Sequence, residues 1–99
     1  MTLNPTILTC MRFNDAFLKL ILYVKPNEKD FLNKPFDEQI GTLLKFFKSN
    51  NIHILIGHNF VLIYRMVTDK EIITIDEYDT EDTYSKAIIS AFKYLEQPF

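Results

Sequence analysis

An α+β domain is the fold class this chain predicts: a three-stranded antiparallel meander packed with two or three helices, in the order α-α-β-β-β-α. The first observation is the stretch Ile52–Tyr78, which reads IHILIG, then HN, FVLIYRMV, TDK and EIITIDEY. Three runs rich in β-branched and aromatic residues, parted by short polar breaks, are the mark of consecutive strands joined by tight turns. The second is an upstream apolar stripe at spacings of three and four, Phe36, Ile40, Leu43, Leu44 and Phe47. The third is a similar stripe downstream, Tyr84, Ile88, Ala91 and Leu95, widened by Ala87 and Phe92.

Taken in order, residues 4–24 open with Asn4-Pro5, an N-cap followed by proline at the first helical position. Ile7, Met11, Phe17, Leu18 and Ile21 then recur at near-helical spacing, which predicts a helix. The alternative is a β-hairpin around Asn14-Asp15, with Leu18, Leu20, Leu22 and Val24 alternating against Lys19, Ile21 and Tyr23. Lys25 to Lys34 reads as a polar connection opened by Pro26 and pinned to the core by Phe31 and Leu32. Pro35 to Ser49 is the next helix, with Asp37 and Glu38 in its first turn and Lys45 and Lys48 in its last, matching the helix dipole. Gly41 inside it predicts a close contact with a strand or another helix, since glycine there costs about 1 kcal/mol relative to alanine. Asn50-Asn51 supplies the stop, because asparagine tolerates the left-handed cap.

In the meander, Gly57-His58-Asn59 is read as a turn with Gly and Asn available for positive φ, and Thr68-Asp69-Lys70 as a second hairpin break. The middle strand is apolar on both sides: Phe60, Leu62, Tyr64 and Met66 on one, Val61, Ile63 and Val67 on the other, interrupted by Arg65. That pattern predicts a central strand covered on both faces, by helices or by a sheet-face dimer. The last helix is expected from Glu81 to Gln97, capped by Thr80 and ended by Pro98.

Composition bounds the rest. Ninety-nine residues, 47% of them hydrophobic and with nine Phe and five Tyr, make one domain spanning residues 1–99 with a sizeable core. A single cysteine excludes an intrachain disulfide and points to a reducing, cytoplasmic setting. Arg12, Asn14, Asp15 and Lys19 interrupt the apolar N-terminal stretch, so neither a secretory signal nor a membrane span is expected there. Lysine outnumbers arginine nine to two and Ile and Asn are common, a bias that fits an AT-rich genome such as that of a phage. Net charge is −2, but residues 1–68 carry +3 and residues 69–99 carry −5. Seven acids, Asp69, Glu71, Asp76, Glu77, Asp79, Glu81 and Asp82, face a single Lys70.

The segment AIISAFKYLE, Ala87 to Glu96, after an acidic turn and a meander, resembles the C-terminal A-I-x-x-A-x-x-x-L pattern of the phage ABA sandwich family. Leu43-Leu44 in the preceding helix fits the same layout, so the resemblance spans roughly residues 36–97. It implies an α/β/α architecture and a phage origin, and implies no catalytic residues.

Candidate chemistry is sparse. His53 and His58 are the only histidines and Cys10 the only thiol, so a metal site lacks ligands, and a nucleophile–base pair would have to draw on these three residues. The run DEYDTED lacks the central glycine and terminal glutamate of a calcium loop. The two glycines stand apart, so no phosphate-cradling loop exists, and no basic patch interleaved with aromatics favours direct nucleic-acid binding. No cofactor is called for. Acids at a helix start are ordinary, but seven within fourteen residues exceed what one helix start needs. The expected function is therefore a non-enzymatic protein-binding domain, an accessory protein of a phage or mobile element acting in the host cytoplasm. It would modulate a host protein, as an inhibitor of a nuclease or polymerase does, by presenting Asp76, Glu77, Asp79, Glu81 and Asp82 to a basic nucleic-acid-binding surface. Phe46, Tyr64, Tyr78, Tyr94 and Phe99, off or beside the main stripes, together with the apolar first segment, predict a homo-oligomer, formed through the first helix or the sheet face. A structural homo-oligomeric component, and a small hydrolase using His53, His58 and Cys10, are the alternatives.

Overall fold

A computed structural model describes residues 4–57, 60–70, 72–78 and 83–96, with 72–78 and Thr83 described through the backbone alone. The chain is α+β: α1 (Pro5–Cys10), α2 (Asn14–Val24), α3 (Glu28–Asn33), α4 (Phe36–Ser49), β1 (His53–Ile56), β2 (Val61–Met66), β3 (Ile72–Tyr78) and α5 (Thr83–Glu96).

Asn4 caps α1 as its sequence predicts, its Oδ1 accepting from the Thr6 N–H at 2.7 Å with Pro5 just inside the helix. The single helix expected over residues 4–24 is instead two, broken at Met11–Phe13, and the hairpin alternative is excluded because Asn14 and Asp15 open α2. Phe13 stands at the N-cap of α2 and has no side-chain acceptor to offer. Glu96, at the far end of α5, supplies one: its Oε2 accepts from the Ala16 N–H at 2.9 Å. A carboxylate there satisfies an orphan amide and opposes the positive end of the helix dipole. Thr6 Oγ1 donates to Ser85 Oγ at 3.0 Å, a second tie between the N-terminal helices and α5.

The connection Lys25 to Lys34 contains α3, contrary to the loop expected there, although Phe31 does pin it to the core at 4% exposure. Gln39, wholly buried on α4, holds α3 in place by donating Nε2 to the Phe31 carbonyl at 3.1 Å. The buried face of α4 is centred on Gln39, Leu43, Phe46 and Phe47, with Phe36, Ile40 and Leu44 only half-buried. Phe46, expected off the stripe, is therefore core. Its ring meets Tyr23 of α2 at 5.4 Å, Phe47 at 5.3 Å and Phe92 of α5 at 6.2 Å, while Phe47 and Phe92 meet edge-on at 5.0 Å. On α5, Ala87, Ile88, Ala91 and Phe92 are buried, whereas Tyr84, expected on that stripe, is exposed.

The strands lie in the order β1-β2-β3, each pair antiparallel. Ile54 pairs with Ile63 and Ile56 with Val61; Val61 and Ile63 are wholly buried, and Ile54 and Ile56 pack on the same core. The alternate set, His53 opposite Tyr64 and Leu55 opposite Leu62, lies on the other face. Between Ile63 and Tyr64 the β2–β3 register shifts, Ile63 facing Asp76 and Tyr64 facing Thr74, so β3 carries one extra residue. The turn between β1 and β2 closes with the Gly57 N–H donating to the Phe60 carbonyl at 2.9 Å. Gly57 does not adopt the positive φ expected of it; a Cβ there would instead collide with the Phe60 ring, and glycine makes that room.

The elements stack in sequence of contact. α1 and α2 pack on α5, α5 packs on β1 and β2, and α4 packs on β1 and α5. The helical layer lies on the Ile54, Ile56, Val61 and Ile63 face, so the cover expected on both faces of β2 is present on one, among the described residues.

Gly41 does not make the close contact expected of it, since a Cβ there would meet no atom within 4 Å and the residue is exposed. Gly41→Ala then removes a helix-interior glycine at no steric cost. Thermal or urea unfolding is expected to show a gain of about 0.5–1 kcal/mol.

Candidate functional site

The sheet face away from the helices is the surface that stands out, and it is positioned by the end of α4. Asn51 adopts φ 57°, the left-handed conformation that ends a helix. Around it the Ile52 N–H donates to the Phe47 carbonyl at 2.9 Å and the Asn51 N–H to the Lys48 carbonyl at 3.0 Å, the pair of bonds that defines a Schellman cap. The Asn51 side chain then reaches across to β2. Its Nδ2 donates to the Met66 carbonyl at 2.9 Å, and its Oδ1 accepts from the Met66 N–H at 3.0 Å. One amide thus satisfies both backbone groups of the last residue of β2. Oδ1 also lies 3.1 Å from His53 Nε2, and the His53 ring stacks on Tyr64 with centroids 5.1 Å apart and planes 16° off parallel.

From this anchor the face runs outward through the half-buried His53, Leu62, Tyr64 and Met66 to Leu55, 51% exposed, with Phe60 exposed at the turn. A solvent face of an antiparallel sheet ordinarily alternates to polar residues. Here β1 and β2 offer Leu, Leu, Tyr and Met in its place. Among the described residues, no helix of this chain lies over them.

The predicted acidic residues fall partly beside this face. Asp76 and Glu77 are on β3, at the positions opposite Ile63 and Leu62 of β2. Asp79, Glu81 and Asp82 lie outside the described residues, as do Thr80, His58, Asn59 and Phe99. Of the candidate trio of His53, His58 and Cys10, two residues are described. His53 is engaged by Asn51 and Tyr64 on the open face, while Cys10 is wholly buried on α1. Burial pushes the Cys10 thiol from 9.0 up to about 12, so at neutral pH it is held in the protonated form. Among the described residues no three His, Cys, Asp or Glu side chains converge as a metal site would require. Among the described residues no helix is long and apolar enough to cross a membrane.

A groove of about 320 Å³ opens between α2, α3 and α4, lined by Tyr23, Asn27, Asp30, Phe31, Lys34 and Thr42. Its only charges, Asp30 and Lys34, pair with each other at 3.6 Å across one helical turn.

Comparison of the chain with protein-family models, with curated proteins and with solved structures finds no match to any of them.

The open face was missed by sequence reasoning although its residues were legible, because an apolar set on both sides of a strand reads as burial on both sides. The buried thiol gives a direct check on the site. Cys10 should resist a disulfide reagent at pH 8 in the folded chain and react at once in urea. Its raised folded value contributes stability that is complete below about pH 9 and declines as pH rises from there toward 12, because only the unfolded thiol ionises in that window. Urea titrations across that range should show the decline in the wild type and less of it in Cys10→Ala.

Proposed function

We propose that the protein is a small, non-enzymatic protein-binding domain, an accessory protein of a phage or mobile element that modulates a host protein in the host cytoplasm. The reading takes the sheet as a full three-stranded meander. Its contact surface is the open sheet face of Leu55, Leu62, Tyr64 and Met66, bordered by the acidic run Asp76, Glu77, Asp79, Glu81 and Asp82. The observation that carries it is an apolar sheet face with, among the described residues, no helix over it, next to a strand that holds Asp76 and Glu77 at the positions opposite Ile63 and Leu62. A partner of matching chemistry presents an apolar ridge flanked by lysine and arginine, as the nucleic-acid groove of a nuclease or polymerase does. Exposed ion pairs contribute about 0–1 kcal/mol each, so the apolar contact supplies the affinity while the acids orient the partner and speed its arrival.

The test uses two variants, one with Asp76, Glu77, Asp79, Glu81 and Asp82 changed to their amides, the other Leu55→Lys. Both should keep the wild-type circular dichroism and lose a host protein that the wild type retains on an affinity column. The loss in the amide variant should resemble the effect of raising salt on the wild type. Equal retention by the folded amide variant would contradict the proposal.

A further inference from the structure

β1 has β2 on one edge and, among the described residues, no strand on the other. The backbone groups presented on that outer edge follow from the bonds on the inner one. The Gly57 N–H donates to the Phe60 carbonyl, and the Met66 backbone turns toward the Asn51 amide at the other end of the pair. Bonding alternates along antiparallel strands, so His53 and Leu55 point their N–H and C=O at β2 while Ile54 and Ile56 point theirs outward. Ile52 continues the outward series, and its N–H is already bonded to the Phe47 carbonyl. Among the described residues, the outward groups of Ile54 and Ile56 have no such partner.

An open edge is a template for another strand, and proteins guard theirs with charge, proline or a bulge. β3, on the far side of the sheet, carries an extra residue in its pairing and holds Asp76 and Glu77. The HILI of β1 has none of these guards. Apolar cover also thins toward this edge. Ile54 and Ile56 are half-buried where their neighbours Ile63 and Val61 are wholly buried, and Leu55 is 51% exposed.

We infer that β1 pairs antiparallel with β1 of a second copy, with Leu55 opposite Leu55 on a two-fold axis normal to the sheet. That register sets Ile54 opposite Ile56 of the second copy, so the two exchange both bonds and every outward group of these residues is used. An axis at Ile54 would oppose Ile56 with Ile52, whose N–H is held in the cap of α4. An axis at Ile56 would oppose Ile54 with residue 58, past the end of β1. The strand is therefore its own complement in one register. Isoleucine meets isoleucine on the helical side, leucine meets leucine on the open side, and His53 meets Gly57, so no charge opposes charge. The two sheets become one, with both helical layers on the same side. Pairing occupies the edge on each copy, so assembly closes at the dimer. A contact of one short strand is small, which predicts weak, concentration-dependent association. This inference goes beyond the partner reading and stands or falls separately, because its readout is the mass and cross-linking of the purified chain alone.

Substitutions at the axis decide it. Leu55→Lys or Leu55→Glu sets like charges directly opposite each other, which disfavours a cross-strand pair, whereas a mixture sets opposite charges there. Both alter an exposed residue, and circular dichroism verifies that each stays folded. In sedimentation velocity the wild type should pass from monomer to dimer with concentration and stop there. Each variant alone should remain a monomer, and their equimolar mixture should dimerise. Mild oxidation should link Leu55→Cys into a dimer, since residues facing each other without hydrogen bonds lie about 4.5 Å apart at Cα. Leu62→Cys should not link, because three strand spacings, about 14 Å, separate it from its copy and a disulfide spans at most about 7 Å. A wild type that stays monomeric at millimolar concentration, assembly past the dimer, a dimer of either charged variant alone, or a mixture that stays monomeric would each overturn the proposal. Linkage at Leu62→Cys would do the same, by showing the open faces in contact.

Discussion

The side-chain amide of Asn51 is the interaction on which the arrangement of layers depends. A helix that ends in a left-handed residue turns its chain sharply, and here the turn sends β1 back along the helical layer. Only glycine and a few short polar residues adopt that conformation readily, and of these asparagine alone brings both a donor and an acceptor. Both are used on the backbone of Met66, so the cap of α4 is fastened to the end of β2 fifteen residues later. With β1 and β2 held in that position, Ile54, Ile56, Val61 and Ile63 face Phe47, Phe92 and the rest of the core. Side chains alternate along a strand, so His53, Leu55, Leu62 and Tyr64 must face away.

Much of this was legible from residue order. The β-branched runs at 53–56 and 61–66 are strands, the stripes near 36–49 and 83–96 are helices, and Asn4-Pro5 and Asn51 act as their local chemistry predicts. What was not legible depends on partners distant in sequence. Glu96 caps α2 from eighty residues away, because Phe13 cannot, and no spacing rule connects the two. Phe46 is core because Tyr23 and Phe92 arrive beside it, which rotates the buried face of α4 away from the simple stripe. Gly41 looked like a contact residue because its helix cost implied a compensating approach, yet none is present. The break at Met11–Phe13 lay hidden in a continuous apolar segment that could satisfy helical spacing throughout.

The acidic run was legible in the sequence and the open apolar sheet face was not. Charge asymmetry drew attention to Asp76–Asp82, but the pairing of β2 with β3 is what sets Asp76 and Glu77 at the positions opposite Ile63 and Leu62. A domain of this size has one helical layer to cover the sheet, so its inner faces are satisfied and its outer ones are left to other molecules.

Urea unfolding of Asn51→Ala and Asn51→Gly tests the central claim most directly. Alanine loses the amide bridge and also strains the left-handed backbone, whereas glycine loses the bridge alone. The account predicts a loss of about 2–4 kcal/mol for Asn51→Ala and a loss about 1 kcal/mol smaller for Asn51→Gly. If Asn51→Gly proves as stable as the wild type, the amide does not hold the sheet to the helical layer and the account is contradicted.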